Sequence, residues 1–72
     1  MKHYSEIITI NSDIRFGKPC IRGMRITVFD ILNWLASGMS ILDIVQDYTE
    51  LNEEDVKAAL AYSLDREQKI TN

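Results

Sequence analysis

The apolar positions change period partway along this 72-residue chain. Near the start, Ile7-Ile8-Thr9-Ile10 is β-branched throughout and bounded by polar residues, which predicts a short strand. Asn11-Ser12-Asp13 follows as a turn, because such side chains bond their own backbone. Ile21 to Ile26 supplies a second short strand, with Gly23 as its bend. From Val28 onward the spacing is helical. Val28, Ile31, Leu32 and Leu35 form the buried stripe of a helix over about Val28 to Ser37, capped by Thr27 with Asp30 three residues on. Gly38 suits the left-handed residue just past the helix end. Ser40 with Asp43 caps a second helix, about Ile41 to Tyr48, which buries Ile44 and Val45. Asn52 caps a third, running to roughly Glu67, with Val56, Leu60 and Leu64 on one face and Ala59 and Ser63 beside them. Gln68 to Asn72 is expected to fray.

Helix, glycine turn, short capped helix, loop and longer helix is the rhythm of a helix-turn-helix domain. The expected fold is mainly α: a three-helix core behind a short N-terminal β element. The chain divides into a β/loop head at residues 1–26, a core at 27–67 and a tail at 68–72, all within one domain. A two-stranded ribbon is marginal in water, so the strand edge at Ile7–Ile10 predicts a homodimer pairing or packing its N-terminal elements.

Between the first strand and the helices lies the stretch Phe16-Gly17-Lys18-Pro19-Cys20-Ile21-Arg22-Gly23-Met24-Arg25-Ile26. It holds two of the three glycines and the only proline. Such punctuation describes a shaped loop. Gly17, Pro19 and Gly23 set its turns, and Phe16, Ile21, Met24 and Ile26 are its apolar anchors.

This stretch, with the following Val-x-Asp-Ile-Leu-x-x-Leu-Ala-x-Gly-x-Ser, the later Asp-Tyr-x-Glu-Leu and Ala-Ala-Leu-Ala-Tyr, resembles the prokaryotic family called domain of unknown function 433. The resemblance runs from about Ile7 to Leu64. It implies a trihelical, homeodomain-like core with a short β element. It also implies an antitoxin-like role, of the VapB type, beside a PIN-like nuclease toxin. Met24 stands where the family usually has Thr, and Thr49 where it often has Pro.

Charge sharpens the division. Residues 1–26 hold five basic and two acidic side chains, a net +3; residues 27–72 hold three basic and nine acidic, a net −6. The chain is a basic head on an acidic body. A helix-turn-helix reader presents the start of its last helix to base edges. Here that end carries Glu53, Glu54 and Asp55, which read as capping carboxylates on a solvated face and oppose phosphate binding. Double-stranded DNA therefore falls to the head, with Arg15, Lys18, Arg22 and Arg25 as candidate contacts. The alternative is that Arg22 and Arg25 form salt bridges to the acidic body, for instance to Asp30.

Candidate chemistry is otherwise sparse. His3 stands alone, and His3 with Cys20 gives no metal-ligand spacing, so no metal or cofactor is expected. Cys20 reads as a packed apolar residue in a reducing compartment. No catalytic triad or carboxylate couple stands out, so an enzyme is not expected. Trp34 and Phe29 are candidate partner contacts, with Trp34 as a cover for the core edge the alternative. No apolar run is long enough for a membrane span, and Met1 to Glu6 lacks a signal-peptide core, so a cytoplasmic address is expected. The leading reading is a non-catalytic antitoxin-like adaptor with promoter DNA as a second ligand. A stand-alone transcription regulator is the alternative, and a small hydrolase or nuclease ranks last.

Overall fold

A computed structural model describes residues 4–71, with side chains through Arg66. Strands β1 (Ile8–Thr9) and β2 (Cys20–Ile21) pair antiparallel, Ile8 opposite Ile21 and Thr9 opposite Cys20. Helices α1 (Val28–Ala36), α2 (Ile41–Asp47) and α3 (Glu53–Thr71) follow. The architecture is the expected one: mainly α, three helices, with a short two-stranded sheet.

The β element is smaller than the apolar runs suggest. Ile7 leaves the strand because its N–H closes a 3₁₀ turn onto the Tyr4 carbonyl, while its own carbonyl accepts the Arg22 N–H. Ile10 is exposed. The second run folds back on itself after Ile21. Arg22 and Gly23 both take positive φ (+44° and +74°), and the Met24 N–H returns to the Ile21 carbonyl at 2.7 Å. That is a type I′ turn, the twist that hairpins favour, and Gly23 adopts it without steric cost. Cys20 then bridges Thr27, so β2 is covered on both sides within one chain. The outer edge of β1, the edge that pointed to a dimer, pairs with no strand among the described residues.

Each helix opens on a reciprocal capping box. Thr27 and Asp30 exchange bonds at 2.9 and 3.0 Å, Ser40 and Asp43 at 3.0 and 2.9 Å, and Asn52 and Asp55 at 2.9 and 3.0 Å. Two otherwise unpaired donors are satisfied at every start. Helix α1 ends in a Schellman motif: the Met39 N–H reaches the Trp34 carbonyl and the Gly38 N–H the Leu35 carbonyl, with Gly38 at φ +109°.

Ile8, Ile21, Val28, Ile31, Ile44, Leu51, Val56, Ala58 and Ala59 make the core. Helix α3 departs from its expected stripe. Leu64 is exposed and Leu60 half-buried, while Ala58 and Ala59 are fully buried. Two alanines let the neighbouring helices approach closely, and the larger leucines rotate outward. The helix also continues to Thr71, past the expected end near Glu67.

The largest surprise in α3 is Asp55. It is 1% exposed, whereas Glu53 and Glu54 are exposed as expected. Arg22 holds it bidentately, Nε to Oδ1 at 3.0 Å and Nη2 to Oδ2 at 2.7 Å, and Nη2 also donates to the Glu50 carbonyl at 3.0 Å. A parallel contact ties the head to α1: Arg15 Nη1 donates to Asp30 at 3.1 Å and to the Arg25 carbonyl at 2.7 Å. In two of the three capping boxes, the aspartate that caps the helix also receives an arginine from the head.

Removing Arg22 leaves a buried carboxylate with one backbone donor. Because Arg22 is itself 44% exposed, water can partly replace it. Arg22→Ala is expected to lower stability by about 1.5–3 kcal/mol, read from urea unfolding. Arg22→Lys should recover only part of this, since an ammonium cannot make the two-pronged contact. Full recovery by lysine would show that charge alone matters.

Asp30 gives a pH signature. Burial works against its charged form, but the Thr27 N–H, the Arg15 guanidinium and the Thr27 hydroxyl outweigh it and hold the carboxyl below the usual range. A depressed folded pKa stabilises above the unfolded value, and that contribution is lost as pH falls through the folded one. The loss therefore begins below about pH 4. Urea midpoints taken between neutral and strongly acidic pH should fall less steeply for Asp30→Asn than for the unaltered chain. Parallel curves would remove Asp30 as a source of the acid response.

Candidate functional site

The head owes its shape to a run of three residues with positive φ: Arg15 (+49°), Phe16 (+61°) and Gly17 (+79°). The Gly17 N–H bonds the Ile14 carbonyl at 3.1 Å and the Lys18 N–H the Arg15 carbonyl at 3.2 Å, which closes one left-handed turn. Glycine takes this region freely, but each L-residue with a side chain costs roughly 1–2 kcal/mol there. Arg15 offsets part of that cost through its contacts to Asp30 and the Arg25 carbonyl. The consequence is the position of Phe16. Expected as an anchor between turns, it is 94% exposed. The left-handed backbone carries its ring away from the core.

The four candidate cations separate into two pairs. Arg15 and Arg22 are committed to Asp30 and Asp55. The expected alternative thus holds for Arg22, although its partner is Asp55 rather than Asp30. Arg25 does not make the ion pair suggested for it; only its carbonyl is engaged, by Arg15. Among the described residues, Lys18 and Arg25 have no carboxylate within salt-bridge distance, and both are exposed. Gly17 and Gly23 sit in the two left-handed turns, and Pro19 stands between them with its carbonyl accepting the Val28 N–H at 2.9 Å.

Lys18, Pro19, Thr27 and Phe29 line an open cleft of about 200 Å³ between the loop and the start of α1. Phe29 is 65% exposed, so one of the two expected partner contacts is free to act as one. Trp34 is not equivalent. It is half-buried and stacks on Tyr48 with ring centroids 4.0 Å apart and planes 9° from parallel, which is the core-edge role. Phe16 went unread as a contact residue. Its position before Gly17, in a loop dense in turn residues, is the one signal that could have marked it.

Cys20 is buried, and its thiol donates to the Lys18 carbonyl at 3.2 Å. Burial pushes its pKa up, so it stays protonated and unreactive. His3 lies outside the described residues. Among those described, no three histidine, cysteine or acidic side chains gather as a metal site, and no helix is long and apolar enough to cross a membrane.

Comparison with known proteins adds the wider context. Over 58 residues the chain is 33% identical to the uncharacterized protein y4eO of Sinorhizobium fredii. That alignment covers 81% of this chain but 26% of the relative, so the chain spans about a quarter of the curated protein it matches. A crystal structure of a DUF433 member from Anabaena variabilis superposes with a TM-score of 0.81 at 26% identity, covering 92% of this chain and 65% of that one. The family described as protein of unknown function (DUF433) matches residues 8–63, a span that takes in both strands, the left-handed turn, the cleft and the start of all three helices. The chain belongs to the DUF433 family.

Proposed function

We propose that this chain is a non-catalytic, antitoxin-like binding protein whose head engages a nuclease-like protein toxin. The observation that carries the reading is Phe16, 94% exposed on a strained turn beside Lys18 and Arg25, which have no carboxylate partner among the described residues. An exposed aromatic is a typical interface anchor, and a backbone held in an unfavourable region points to a use for it. A metal-dependent nuclease gathers carboxylates around its ions, and the cations of the head complement such a site. The antitoxin idea itself comes from the family resemblance.

The reading includes a cytoplasmic homodimer, with the outer side of β1 and the exposed Ile10 as the surface left for a second copy. Promoter DNA is the second ligand. With Arg15 and Arg22 occupied, DNA contact rests on Lys18 and Arg25. Two copies would then offer at most four such cations, and each phosphate contact adds about 0.9 to the slope of log affinity against log salt. The regulator reading is weaker because the first turn of α3 presents the exposed carboxylates Glu53 and Glu54.

The test is to read the neighbouring genes for a small nuclease-like protein and to co-express it with this chain. A stable complex and suppressed nuclease activity are expected. No complex, together with salt-dependent promoter binding by the chain alone, would return the regulator reading. A paired test uses Phe16. Phe16→Gly relieves the strained φ and removes no burial, so it should melt no lower than Phe16→Ala, and by about 1 kcal/mol in its favour. Both variants should weaken the complex at least about tenfold. Unaltered affinity in either would remove Phe16 from the interface.

A further inference from the structure

We propose that the cleft formed by Lys18, Pro19, Thr27 and Phe29 is a receptor for one apolar side chain flanked by a carboxylate, presented by an extended acidic segment of a protein partner. This rests on the binding reading above and names what the partner must offer. The cleft volume, about 200 Å³, has room for one leucine- or phenylalanine-sized side chain. Its walls are pinned before anything binds. Pro19 has a fixed φ and gives its carbonyl to the Val28 N–H, and Thr27 is 1% exposed and locked in its box with Asp30. A pre-organised wall spares the ordering cost that weakens most loop sites. Phe29 adds an exposed aromatic face.

The charge of the occupant follows from what surrounds the cleft. Lys18 is exposed and, among the described residues, has no carboxylate partner. The neighbouring carboxylate, Asp30, is already matched by Arg15 and by the Thr27 N–H. An incoming anion therefore meets one free ammonium, whereas an incoming cation meets none of the complementary charge. The apolar floor selects the side chain, and Lys18 selects the acidic neighbour.

The probes are the blocked peptides acetyl-Asp-Leu-Asp-Leu-amide and acetyl-Asn-Leu-Asn-Leu-amide, titrated into isotope-labelled chain and followed by amide chemical shifts. The acidic peptide should move the Lys18, Thr27 and Phe29 signals, and the amide analogue should bind about two- to fivefold more weakly, the scale of one exposed ion pair. Lys18→Gln should erase that difference, and Phe29→Ser should weaken both peptides alike. Both residues are exposed, so the variants should keep the parent melting temperature. Equal binding of the two peptides, or shifts that map elsewhere, would overturn the proposal. So would a toxin complex of undiminished affinity in the Lys18→Gln/Phe29→Ser double variant, and that result would leave the antitoxin reading standing. Loss of the complex in the unaltered chain would instead fall on the antitoxin reading alone.

Discussion

Asp55 receives Arg22 while it also completes the capping box that starts α3. One carboxylate therefore anchors a helix start, satisfies a guanidinium and fixes the loop across 33 positions of chain. The geometry is demanding on both sides. Arg22 must sit at positive φ, in the type I′ turn, to aim its side chain at the helix. That turn in turn is held by the Arg22 N–H on Ile7 and by the Gly23 N–H on the Thr9 hydroxyl, at 2.7 and 2.9 Å. The sheet, the hairpin and the third helix are consequently one mechanical unit, built around a single ion pair that is buried on one side only. A carboxylate so buried is costly without its partner, which makes the arrangement specific more than it makes it strong.

What could be read from the chain and what could not divide along a physical line. The capping boxes of α1 and α2, the Asn52 cap and the glycine stop after α1 were legible, because each is encoded within a few consecutive residues. The helical stripes of α1 and α2 were legible for the same reason. The burial of Asp55 was not, since a row of Glu53, Glu54 and Asp55 looks uniformly solvated until a distant arginine selects one member. The outward turn of Leu64 was hidden too. Periodicity favours large apolar residues, yet here Ala58 and Ala59 decide the contact by being small. The strands were overextended because β-branched composition reports preference, while length is set by where the partner strand turns away. In the head, the basic cluster was visible, but the commitment of Arg15 and Arg22 to Asp30 and Asp55 depends on contacts no local pattern carries.

The two occupied arginines also change what the positive charge of the head means. Counted along the chain it suggests a nucleic-acid surface. Counted in space, half of the candidate set is spent on internal carboxylates, and the exposed remainder is small and mixed with aromatic surface at Phe16 and Phe29. Mixed apolar and cationic character is closer to a surface that meets protein than to one that tracks a phosphate backbone.

Tyr4 lies against Tyr62 edge-on, with ring centroids 5.6 Å apart, and its hydroxyl donates to the Asp65 carboxylate. The N-terminal turn thereby packs against the later turns of α3. Helix α3 is therefore fastened twice, at its capped start through Asp55 and again at Tyr62 and Asp65. A rod held at two points cannot pivot about either, so the hairpin that carries Arg22 and the turn that carries Tyr4 together fix the direction of the helix.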